Sequence, residues 1–197
     1  MAPLPALQAL TQSGCNYMSE RRYLQVVTLD GKVLEGTCHH RTRDLPRIEA
    51  MQLDSREQLC LKLVRYICES LAANTANGAR IAHQLAERQL GEADGSILVG
   101  NITALLQAIR SERTRDFAFM PADCPVCSRH LCGEELAILE LLRAARKSDG
   151  SALTDWACDL VGEGMVVCVV LAASALVAQL DTLATPADVQ RPFRVPG

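Results

Sequence analysis

Apolar residues recur at near-helical spacing through most of this chain, and that rhythm predicts a mainly α fold. Asp54 with Glu57 three residues on forms a capping box, and Leu59, Leu63, Ile67 and Leu71 follow on one face. Asn77-Gly78 reads as the stop of this first helix. A shorter helix over 79–90 is apolar at Ile81, Ala82, Leu85 and Ala86 and ends at Gly91. After the turn Asp94-Gly95-Ser96 a third helix carries Leu98, Ile102, Leu105, Leu106 and Ile109, then dissolves into the polar run 110–116. The fourth has Glu134 and Glu135 in its first turn, Arg143, Arg146 and Lys147 in its last, and Asp149-Gly150 as its stop. Those charges suit the helix dipole at both ends. A fifth helical region covers 152–184, with Gly162 and Gly164 as bend points.

The N-terminal quarter follows a different rule. Residues 1–19 are weakly patterned and read as a loosely docked arm. Two strand-like runs, 23–29 and 32–38, flank Asp30-Gly31, whose glycine suits a type I′ turn, so a β-hairpin is expected there. Pro46 breaks the polar connection 39–53, and Pro121 argues against helix in the link 117–123. The expected organisation is an arm and hairpin over 1–53, a bundle of about five helices over 54–185 with a Cys-rich loop at 123–133, and an irregular tail over 186–197. No internal repeat occurs.

Composition narrows the function classes. Aromatic residues are only 4% of the chain, so its core is built from Leu, Val, Ile and Ala, which favours helix packing. A net charge of -3 gives no basic field for nucleic acid. The uncharged run 165–180 is 16 residues long and is flanked by Asp155, Asp159, Glu163 and Asp181 with no basic anchors. A bilayer needs about 20 residues, so this run is expected to be a core helix or an oligomer seam. The N-terminus lacks the positive start and apolar stretch of a signal peptide, which predicts a cytoplasmic protein with reduced thiols. Of its nine cysteines, Cys60, Cys68, Cys158 and Cys168 fall inside helical patterns and are expected as small core hydrophobes.

Candidate chemistry is confined to one loop, Asp123-Cys-Pro-Val-Cys-Ser-Arg-His-Leu-Cys132. A Cys-x-x-Cys turn with proline after the first cysteine can aim Cys124 and Cys127 at one zinc ion, with His130 or Cys132 as third ligand. Cys38 or one of His39 and His40, at the end of the hairpin, would complete the tetrahedron; Cys38 and His40 point to the same face of an extended strand. Such an ion would staple the hairpin to the helices. Loop thiols without an ion are the competing reading. The spacing does not fit a plant-type iron–sulfur site, and no βαβ context supports a thioredoxin-like pair.

Other motifs read more plainly. Asp155, Asp159 and Glu163 recur every four residues as a solvated face, having no facing histidine or second acidic helix. In the helix–turn–helix over 81–109 the second helix offers no Arg or Lys before Arg110, so a plain helical hairpin is preferred to a DNA reader. No Gly-x-Ser-x-Gly, phosphate loop, dinucleotide fingerprint or His-Glu-x-x-His is present. The expected function is therefore a non-enzymatic accessory or regulatory protein working through a protein partner or a homo-oligomer seam at 165–180. The alternative is a small metalloenzyme or thiol redox protein built on Cys124, Cys127 and Cys132.

Overall fold

A computed structural model describes residues 44–183 together with the segments Gln25–Val27 (β1) and Val33–Leu34 (β2). The fold is mainly helical. Helix α1 spans Ser55–Ala73 and opens on the capping box seen in the sequence: Glu57 N–H donates to Asp54 Oδ1 at 2.8 Å, and Asp54 N–H donates to Glu57 Oε2 at 3.0 Å. It ends at Asn74, which takes the left-handed φ of 49° that asparagine tolerates better than most residues.

Two signals read as turns lie inside helices. The pair Asn77-Gly78 opens α2 (Asn77–Leu90), and Asp94-Gly95-Ser96 lies within α3 (Glu92–Glu112). Both glycines are points of backbone contact. A Cβ on Gly78 would lie 2.1 Å from the Tyr66 carbonyl oxygen of α1, and one on Gly95 would lie 2.6 Å from the Glu87 nitrogen of α2. Close approach, not chain reversal, is why these positions hold glycine. Ala82 and Ala86 of α2 are both wholly buried, and Ala86 backbone lies against Gly95 of α3.

Helix α3 is the axis of the core. Its Leu98, Ile102 and Leu105 are fully buried and share one cluster with Leu63 of α1 and with residues of three later helices. These are α4 (Gly133–Arg146), α5 (Gly150–Val161) and α6 (Val167–Thr182), contributing Leu141, Leu160 and Leu176. Where one bent helix was expected over 152–184 there are two, which makes six helices among the described residues. Gly162 ends α5 with φ of 78°, and Gly164 packs so tightly on α3 that a Cβ would lie 2.3 Å from the Glu112 carbonyl oxygen. No helix among the described residues is long and apolar enough to cross a membrane.

The link 117–123 contains a strand, β3 (Phe117–Phe119), in which Phe119 is wholly buried. Most of the expected hairpin, including Asp30-Gly31, lies outside the described residues, as do the 1–19 arm and the 186–197 tail. The segments β1 and β2 are antiparallel with Val26 opposite Leu34, and β1 also pairs antiparallel with β3, with Val26 opposite Ala118.

The glycine contacts yield a paired expectation. Gly78→Ala should lower stability by about 1–3 kcal/mol, because backbone must move to admit the methyl group. Gly100 is helical and exposed with open space around its Cβ direction, so Gly100→Ala should raise stability by about 0.5–1 kcal/mol. Urea unfolding of both variants checks this.

Candidate functional site at the cysteine loop

The loop between β3 and α4 is tied to the helical body by one buried ion pair. Arg65 stands on α1 between Leu61 and Cys68, inside an otherwise apolar face, and is 3% exposed; Glu135, at the third position of α4, is 0% exposed. The guanidinium grips the carboxylate with two bonds, Nε to Oε1 at 2.7 Å and Nη2 to Oε2 at 2.8 Å. Its remaining donors reach the loop backbone, Nη1 to the Ser128 carbonyl at 2.8 Å and Nη2 to the His130 carbonyl at 2.5 Å. Glu135 in turn accepts from Met120 N–H at 2.9 Å and Cys132 N–H at 3.1 Å. Both charges are thus paired and saturated, as burial demands.

Smaller ties hold the start of the loop. Ala122 N–H donates to Glu69 at 2.7 Å and the Tyr66 hydroxyl donates to Asp123 Oδ1 at 2.7 Å. On the other side Leu131 N–H donates to the Pro46 carbonyl at 3.0 Å. Burial raises the Glu69 carboxyl above its ordinary value, an effect that the Ala122 bond opposes and the Asp123 charge reinforces.

The structure brings Cys124, Cys127 and Cys132 together, as members or neighbours of one small apolar cluster with Ala118 and Met120. Their states differ. Cys132 is 1% exposed and its thiol donates to the Ala118 carbonyl at 3.2 Å. Burial, aided by the Glu135 and Glu134 carboxylates, pushes that thiol well above its usual range, so it stays protonated and is a poor ligand or nucleophile. Cys127 is 3% exposed and disulfide-bonded. The expectation of reduced thiols throughout therefore does not hold at Cys127. Cys124 is half-buried and remains a thiol, and its Sγ accepts from Cys127 N–H at 3.4 Å across the Cys-x-x-Cys turn.

His130 is buried, with Nδ1 3.0 Å from the Val126 carbonyl. Cys38, His39 and His40 lie outside the described residues. Among the described residues no group of three His, Cys, Asp or Glu side chains is placed to share a metal ion.

The helical cysteines divide. Cys60 and Cys68 are buried, and burial pushes the Cys60 thiol up to about 12. Cys158 and Cys168 are exposed, contrary to expectation. The inward stripe of α5 is Leu153, Ala157 and Leu160, which turns Cys158 outward beside Asp155 and Asp159, both exposed. On α6 the inward stripe is Val169, Ala173, Leu176 and Leu180, which leaves Cys168 on the opposite side. Arg65 and Glu69 escaped sequence reading; a lone arginine on an apolar helix face was the available signal for the first.

No protein-family model matches the chain, and no curated protein or solved structure is significantly similar to it.

Two outcomes test this geometry. Arg65→Met strands a buried carboxylate and should destabilise the fold by about 3–5 kcal/mol in urea unfolding. Glu69 carries the pH test. Its raised folded value means that the folded chain holds this proton more tightly than the unfolded chain does. That contribution is fully present below the unfolded value near 4.5 and is lost as pH rises through the folded value. Glu69→Gln keeps the acceptor for Ala122 but cannot ionise, so the melting temperature of the parent should fall relative to the variant as pH rises from about 4 to about 7. A constant difference would disconnect Glu69 from stability.

Proposed function

We propose that this chain is a non-enzymatic accessory or regulatory protein of the cytoplasm that acts through protein–protein contact, with the outer face of α6 as its contact surface. One observation carries this reading. Met165, Val167 and Leu171 are 68%, 61% and 64% exposed, on and just before a helix whose inner face is fully packed. Large apolar side chains gathered on one exposed face are the usual mark of an interaction site. Cys168, Ala175 and Ala178 continue the stripe, and it carries no charge between Glu163 and Asp181.

The shape of the stripe favours a second copy of the chain as partner. It is bulky toward the N-terminus of α6 and small toward the C-terminus at Ser174, Ala175 and Ala178. A two-fold antiparallel pairing sets large residues of one copy on small residues of the other, with Leu171 near the axis. The buried chemistry agrees with a role without catalysis, since the carboxylate of Glu135 is saturated and the Cys132 thiol is held protonated. Zinc belongs to this reading only for a reduced loop, with thiolates from Cys124 and Cys127 and further ligands from Cys38 or His40.

Sedimentation velocity tests the surface. The parent should sediment as a dimer or larger at micromolar concentration, and Leu171→Asp should return it to monomer. The substitution is on the surface, so unfolding free energy should change by no more than about 0.5 kcal/mol. A parent that stays monomeric at high concentration would remove self-association from the proposal.

A further inference from the structure

The uncharged surface does not stop at the edge of α6. Helix α3 runs alongside it in the opposite direction. Glu112, at the end of α3, accepts from Met165 N–H at 3.2 Å, and Asn101 donates to Gln179, near the end of α6, at 2.6 Å. Between Asp94 and Arg110 the chain carries no charge. Positions 97, 101, 104 and 108 share one helical face, and Asn101 sets that face beside α6. Ile97 is 54% exposed on it, and Gly100, Ala104 and Gln107 are exposed as well. Gly100 differs from Gly78, Gly95 and Gly164, which are pressed on the backbone of other helices. It stands in mid-helix, where glycine is unfavourable, with open space in its Cβ direction, so nothing in the described packing calls for it. A second backbone approaching from outside would.

Area points the same way. The 16 residues of α6 offer a strip of about 24 Å by 10 Å, far short of the roughly 800 Å² that each partner buries in a stable complex. The adjoining strip of α3 about doubles the face, and side-chain relief brings it to that scale. We propose, resting on the self-association through α6 proposed above, that α3 forms the second half of the contact. Each helix then lies antiparallel on its own counterpart in a second copy, four helices in two layers. Met165 is level with Glu112 and Gln179 with Asn101, so the two-fold axis through Leu171 crosses α3 between those levels, near Ala104 and Gln107. The small side chains of Ala104 and Ala108 let the two copies of α3 come close there.

The test is a sedimentation concentration series on the full-length chain and its variants, with circular dichroism to verify the fold of each. Ala104→Arg places a cation opposite its own copy in an apolar contact, and should raise the dimer dissociation constant at least about thirtyfold. Gln107→Arg is the second variant, should the first fail to fold, and the same rise is expected. Ser151→Arg adds the same charge at an exposed position of α5, and should leave the constant within about twofold of the parent. Suppose Leu171→Asp dissociates the parent dimer while both α3 variants behave like Ser151→Arg. The α3 half is then overturned and the α6 surface stands. A parent that is monomeric at every concentration overturns both, and leaves the face to the chain's own 186–197 tail or to a different protein.

Discussion

The carboxylate of Glu135 is the meeting point of three parts of the chain, and its pairing with Arg65 decides whether they stay together. One oxygen takes a hydrogen from Arg65 and one from the end of β3, the other a second from Arg65 and one from the backbone at the start of α4. Arg65 then spends its other donors on the loop carbonyls of Ser128 and His130. Removing either charge leaves a polar group with no access to water, a cost greater than the pair's own net contribution. The cysteine loop therefore has little room to move while α1 and α4 are packed. Its shape is set by an ion pair from the helical body.

Local signals were the legible part of the fold. The capping box at Asp54 and Glu57 has the two bonds its sequence promises, because both partners lie within one turn and nothing distant competes. The same holds for the acidic start and basic end of α4. The glycines at 78 and 95 were misread for a reason of scale: a turn glycine and a packing glycine look alike in sequence, and only the neighbouring helix tells them apart. The break at Gly162 to Gly164 was anticipated as a bend and is a full interruption, since Gly164 is pressed on the backbone of α3.

At the candidate site the sequence located the right loop but not its internal logic. Proximity of Cys124, Cys127 and Cys132 followed from spacing, whereas the buried, protonated state of Cys132 depends on Ala118 and Glu135, which spacing does not show. Arg65 was hidden for a related reason. Its partner is 70 positions away, and no periodicity connects them. Cys158 and Cys168 were misplaced because a helix that is apolar nearly all round does not announce its inner face; for α6 only packing on α3 and α4 selects it.

That α6 is fastened at both ends bears on how it would meet another molecule. At its start Met165 N–H donates to Glu112 of α3 at 3.2 Å, and Gly164 is lodged against the same residue. At its close Arg56 of α1 donates to the Leu183 carbonyl at 2.5 Å. A rod pinned in this way forfeits little backbone freedom on association, so its apolar stripe is preorganised and the entropic toll of docking is confined to a few side-chain rotors.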